Sequence, residues 1–204
     1  MKKTFITAVF ALGFIFTSSA QVKGDVEFGI NIGLNTSTVT AGNFSANTGI
    51  GFNAGFASDY YFSDGWSIKG KLIYDQKGWD NGTFEDEISV SRADYNLNYL
   101  TIPLMANWHF GNKKNWYCNF GPYAGFLLNA KESAKNTDVS DAFNSNDFGL
   151  ALGIGVKIPV SDKLRVYFEY EGQSGFSDIF KNNLGDRVTG SRNAFNVGLN
   201  FMMK

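Results

Sequence analysis

Apolar and polar residues alternate with a period of two through eight stretches, at about residues 25–38, 47–62, 66–79, 94–110, 115–131, 146–160, 163–176 and 191–203. In the first, Phe28, Ile30, Ile32 and Leu34 fall on one parity, and Glu27, Gly29, Asn31, Gly33 and Asn35 on the other. In the sixth, Phe148, Leu150, Leu152, Ile154, Val156 and Ile158 oppose Gly149, Gly153, Gly155 and Lys157. A side-chain period of two puts each set on its own face of a β-strand. Every stretch is as long as the roughly 9–11 residues that a tilted strand needs to cross a bilayer. The links alternate too. Those at 63–65, 111–114 and 161–162 are tight and polar, whereas those at 39–46, 80–93, 132–145 and 177–190 are long and rich in Asn, Asp, Ser and Gly. Short turns on one rim and long loops on the other predict an all-β, eight-stranded, antiparallel up-and-down transmembrane barrel.

A soluble ligand-binding barrel would also alternate, with its apolar face inward. The polar parity decides between the two. It carries Glu27, Lys69, Lys71, Asp75, Lys77, Lys157, Arg165, Glu169 and Glu171, interleaved with glycines. On a solvated face those glycines weaken a strand for no gain. Inside a narrow lumen they make room for Tyr123, Tyr167, His109 and the charged stems, and opposite charges there can pair. The eight of these other than Lys77 are therefore expected to form a charge network in the lumen. Tyr60, Phe62, Trp66, Trp108, Phe110 and Trp116 gather at the strand ends beside the short turns, where an aromatic girdle at a membrane–water interface belongs. Pro103 and Pro122 each predict a bulge or a missing ladder bond, because proline donates nothing to a sheet.

The chain begins MKKTFITAVFALGFIFTSSA, a positive head, a short apolar run and small residues before a cut after Ala20. That pattern is a secretory signal peptide over 1–20, leaving 21–204 as one barrel domain. No later stretch is apolar for the about eighteen residues that suggest a spanning helix. A first strand that leaves a periplasmic terminus and meets a long loop puts both termini in the periplasm and the long loops outside. The net charge of −1 and the lack of a basic stripe argue against nucleic acid as a partner. A single cysteine, Cys118, forms no internal disulfide.

The stretch YLTIPLMANWHFG followed by GPYAGFLLNAK resembles the PorT-type outer-membrane β-barrel domain family of Gram-negative bacteria. The matching positions are Tyr99, Leu100, Ile102, Pro103 and Leu104, then Gly121, Tyr123, Gly125 and Leu127. The resemblance spans residues 21–204. It implies an eight-stranded barrel in the outer membrane and, from the family's named member, an association with protein secretion across that membrane. It transfers no functional residues.

Candidate chemistry is sparse. The glycines of 49–55 and 153–157 lack the spacing of a phosphate loop and open no helix. The sole histidine, His109, falls at the periplasmic end of the fourth stretch, away from the outer leaflet where a barrel hydrolase would work. Asp80, Glu85, Asp86 and Glu87 are acidic without the ordered spacing of a calcium site. No catalytic, metal or cofactor residues are assigned. The expected role is non-enzymatic: a barrel with a filled lumen that acts as a structural or surface-interaction protein, embedded in outer-membrane lipid. The alternatives are an accessory to a secretion machine, then a narrow porin or a barrel-embedded hydrolase.

Overall fold

The computed structural model describes residues 23–41, 45–86, 89–133 and 136–203, with backbone only at 45 and over 81–86 and 89–93. The expected signal peptide at 1–20 lies outside the described residues, as do the side chains of Glu85, Asp86 and Glu87. Eight long strands follow one another: β1 (Val26–Thr40), β2 (Ser45–Ser63), β3 (Trp66–Asp86), β4 (Ser89–Phe110), β5 (Trp116–Glu132), β6 (Asn146–Pro159), β7 (Leu164–Gly175) and β8 (Thr189–Met203). Each pairs antiparallel with its sequence neighbour. β1 also pairs with β8, from Val26↔Met203 to Thr40↔Thr189, so the sheet closes into a barrel.

The alternation decides which wall is which. Ile50 is 80% exposed and Leu34 70%, whereas Asn35, Asp75, Lys157 and Glu171 are at 0%. Apolar side chains thus point outward around the ring and polar ones point into the lumen. An apolar belt of this extent far exceeds what a soluble protein exposes, so its solvent is lipid. In the β4–β5 hairpin, Ile102, Leu104, Trp108, Phe120, Phe126 and Leu128 stand outside, while Thr101, Met105, Asn107, His109, Asn119 and Tyr123 are buried inside.

One expectation about connections needs correction. Residues 80–93 are not an open loop, since β3 and β4 stay paired up to Asp86↔Ser89 and β2 joins them as far as Ser45↔Thr83. Backbone pairing extends a hairpin beyond the point where alternation is required, so the pattern of side chains underestimated both strands. Residues 132–145 and 177–190 are long connections, but they are structured. Thr137–Asp138 folds back on the end of β5, a 3₁₀ turn spans Ser140–Ala142, and Phe143 bridges Phe180.

At Pro103 and at Pro122 one of the flanking ladders lapses without a change of register. β3–β4 pairing runs to Gly70↔Leu104 and resumes at Ile73↔Thr101, skipping Ile102 and Pro103. β4–β5 pairing skips from Pro103↔Tyr123 to Ala106↔Phe120, passing Pro122. Both are missing ladder bonds rather than bulges.

Inward glycines create the room that the lumen needs. A Cβ at Gly149 would lie 2.7 Å from the ring of Tyr123, and one at Gly155 would strike the Tyr117 ring and come within 2.7 Å of the Phe168 carbonyl. Outward Gly70 has nothing within 4 Å of the same position. We therefore expect Gly155→Val to lower unfolding free energy in lipid vesicles by about 1–3 kcal/mol. Gly70→Val should stay within about 0.5 kcal/mol of wild type. Equal losses at both sites, measured by urea titration, would contradict this account of the lumen.

Candidate functional site

Among the described residues the charged groups converge in the lumen, and the period of two delivers them from six strands. Inward positions supply Glu27 on β1, Asp59 on β2 and Lys69, Lys71, Asp75 and Lys77 on β3. Asp147 and Lys157 come from β6, Arg165, Glu169 and Glu171 from β7, and Arg192 from β8. All are buried except the partly buried Lys77. Among the described residues this set holds six cations and six carboxylates, so its formal charge is zero.

The pairs form three tiers from the terminus-bearing rim upward. In the lowest, Arg165 Nη1 donates to Glu27 Oε1 at 2.9 Å, and Lys157 pairs with Glu27 and, at 3.2 Å, with Asp59. Tyr61 donates to Glu27 at 3.0 Å. In the middle tier, Glu169 accepts from Lys69 at 3.1 Å and from Lys71, Tyr117 and Asn119. Glu171 accepts from Lys71 at 2.6 Å and from Arg192 at 2.7 Å. Arg192 Nε lies 3.0 Å from Asp75 as an ion pair, and Asp75 accepts hydrogen bonds from Asn35 and Thr101. The upper tier joins Lys77 to Asp147 at 3.2 Å, and Tyr123 and Ser177 also donate to that carboxylate. Tyr117 ties the two lower tiers, with Lys69 4.5 Å and Lys157 5.3 Å from its ring centroid.

Strand numbering shows what this does to the interior. β3 and β7 stand four places apart in a ring of eight, so Lys69 and Lys71 meet Glu169 and Glu171 across the full diameter. The lumen is spanned by its own side chains.

Above the tiers the inward face changes character. Val39, Trp79, Leu97, Tyr99, Ala130, Phe143, Ile179 and Val188 form a buried apolar cluster at the loop rim. Phe143 and Phe180 stack at 5.0 Å, with Trp79 edge-on to both at 6.0 and 6.1 Å. The Asn144 amide laces the two loops together by donating to the carbonyls of Asp178 and Phe180.

All eight residues named for the lumen lie in the tiers. The set also contains Asp59, Lys77, Asp147 and Arg192, which were not named with it. Asp59 and Lys77 are on the polar parity of their stretches. Asp147 and Arg192 sit at the first or second position of theirs, where parity is set only by the residues that follow. Of the girdle residues, Tyr60, Phe62, Trp66, Trp108 and Trp116 are exposed on the outer wall. Trp66 stacks on Trp108 at 6.3 Å, and half-buried Phe110 packs on Trp108 at 4.9 Å.

One local cluster has the composition of a catalytic triad but not its wiring. His109 Nε2 lies 3.0 Å from Ser67 Oγ, and Ser67 donates to Asp59 at 2.9 Å. A triad needs the carboxylate on the imidazole, so that the imidazole can take the serine proton. Here the serine hydroxyl is spent on the carboxylate, and all three groups are buried in the lumen. Among the described residues no cluster of His, Cys, Asp or Glu is arranged to hold a metal ion.

Comparison with known proteins agrees with this architecture. The sequence model of a family described as an outer membrane protein beta-barrel domain matches residues 17–181. The outer membrane protein OprG of Pseudomonas aeruginosa superposes with a TM-score of 0.57 at 11% identity, over 90% of this chain and 98% of that one. Neisserial surface protein A gives 0.49 at 15% identity over 84% and 95%. The attachment invasion locus protein Ail of Yersinia pestis gives 0.46 at 19% over 89% and 100%. At these identities the likeness to OprG shows the fold alone, and the other two scores carry no argument. No curated protein matches the chain.

Removing one member of a buried pair strands the other, which typically costs about 3–5 kcal/mol. Lys71→Met should therefore destabilise the folded barrel by about that much, because Glu169 and Glu171 both lose a donor. The double variant Lys71→Met, Glu171→Gln should recover part of the loss. Urea titration in vesicles would reveal the coupling, and strictly additive losses would exclude it.

Proposed function

We propose that this chain, which belongs to the outer membrane protein beta-barrel domain family, is a sealed, non-enzymatic barrel that holds a structured loop surface at the outside of the outer membrane. The observation that carries this reading is the neutral set of ion pairs across the lumen diameter. Eight strands leave an interior just wide enough for side chains, and these side chains occupy it. The apolar cluster closes the loop rim as a second seal. The Asp59–Ser67–His109 wiring supports a structural role for the sole histidine.

The orientation follows from the same reading. Residues 1–20 direct export and are removed after Ala20. Both termini and the three tight turns stay periplasmic, beside the Trp66–Trp108–Trp116 girdle. The working surface is then the outer rim: the β3–β4 hairpin and the connections at 132–145 and 177–190, where Leu184 is fully exposed. The finer PorT-type resemblance carries a different role, as an accessory to a secretion machine working through the periplasmic turns.

Three measurements separate these readings. Planar-bilayer recordings of the wild-type protein should give no steady conductance. Phe143→Ala with Phe180→Ala should stay silent, and only that pair combined with Lys71→Ala and Glu171→Ala should conduct. Mild proteolysis of whole cells should cut within 177–190. In a deletion strain, secreted proteins should stay in the culture medium at parental levels. Their accumulation in the periplasm would replace the sealed-surface reading with the secretion one.

A further inference from the structure

The outer wall is not smooth. A groove of about 600 Å³ crosses it over β5 to β8. Its floor is Gly172, an outward position of β7 whose register partners are Leu152 on β6 and Asn193 on β8. The other outward residues of β7 include Phe168 and Tyr170, so the missing side chain leaves a notch in the apolar belt.

The groove has two unlike ends. Toward the terminus-bearing rim it is lined by Leu152, Ile154 and Tyr170. Toward the loop rim stand Ser174 and Asn193, both exposed on the outer wall. Neither side chain has a hydrogen-bond partner among the described residues. Asn193 Oδ1 leans over the notch, 3.3 Å from where a Cβ of residue 172 would sit.

Both groups sit at the edge of the apolar belt, Asn193 level with outward Thr36 and Ser174 with Ser191, where a bilayer's hydrocarbon gives way to its polar interface. Here the protein supplies no partner to either group. What matches the groove is a molecule with an apolar tail and a hydrogen-bond acceptor at one end of it. We propose that the groove holds one acyl chain of an ester-linked bilayer lipid, whose ester carbonyl accepts from the Ser174 hydroxyl and, with the carboxamide turned so that Nδ2 replaces Oδ1 over the notch, from Asn193. The Gly172 notch seats the chain, and the two polar groups fix its depth. The site belongs to the lipid-facing wall and does not depend on the lumen being sealed.

Native mass spectrometry on the folded, delipidated protein tests this, with phosphatidylethanolamine as probe beside its diether analogue, which lacks the carbonyls. Wild type should retain one ester lipid and prefer it to the diether by about three- to tenfold, the range of one or two hydrogen bonds. Gly172→Leu should fill the notch and weaken retention at least tenfold, while Gly70→Leu, elsewhere on the belt, should change nothing. Asn193→Leu with Ser174→Ala should keep a lipid but lose the ester preference. Heat-shifted gel mobility checks that each variant is folded. The proposal falls if wild type does not distinguish ester from ether, if Gly172→Leu binds as wild type does, or if Gly70→Leu loses the lipid equally.

Discussion

Closure of the backbone ladder is the constraint on which everything else rests. A bilayer offers no hydrogen bonds to a strand edge, so the seam between β1 and β8 has to be paired along its length, and it is, over fifteen register positions. Closing eight strands fixes a narrow interior. Alternation then leaves half of every strand facing that interior, and the apolar half is already committed to lipid. The inward half has to solve its own solvation with no bulk water to help. Zero net charge among twelve ionisable side chains is the form that solution takes.

Pairing across the diameter also ties the fold together in a way that neighbour pairing does not. Lys71 and Glu171 are 100 residues apart in sequence and sit on opposite walls. A slip of one residue in β3 or β7 would turn Lys71 or Glu171 outward into lipid. A lysine at the midplane of a barrel costs about 2–4 kcal/mol, and its former partners would be left buried and unpaired. The charged lumen therefore selects the register more sharply than an apolar one would. It does so without any claim that buried ion pairs are strongly stabilising in themselves.

Much of this was legible in the chain because a period of two is a local property. Phe28 to Leu34 and Phe148 to Ile158 announce their faces within one strand, and the glycines opposite them announce a crowded interior. Partnership across the lumen was not legible. Nothing near Lys69 indicates Glu169, since their meeting is set by ring closure and by the tilt of the strands. Asp147 and Arg192 escaped notice because each lies where its alternating stretch is only beginning. The apolar cap escaped for a different reason. Phe143, Ile179, Phe180 and Val188 lie in connections whose composition is polar, so their burial follows from tertiary packing rather than from any repeat.

The cap also marks where the membrane rule stops. Along β3 one parity runs Lys69, Lys71, Ile73, Asp75, Lys77 and then Trp79. On β4 the matching inward face runs from His109 through Asn107, Met105 and Thr101 to Tyr99 and Leu97. In both, the inward face turns from polar to apolar near the loop rim. That inversion is what a change of outer solvent demands: where lipid surrounds the wall the apolar residues face out, and where water surrounds it they face in. The barrel thus contains two seals of opposite chemistry in series. An apolar layer excludes ions because it does not wet, and a layer of charges paired across the lumen excludes apolar solutes because it offers them neither space nor contact. A solute able to pass one is rejected by the other. On the reading proposed above, in which the lumen is sealed to both classes, the part of the molecule left to act is the loop surface that packs on the cap.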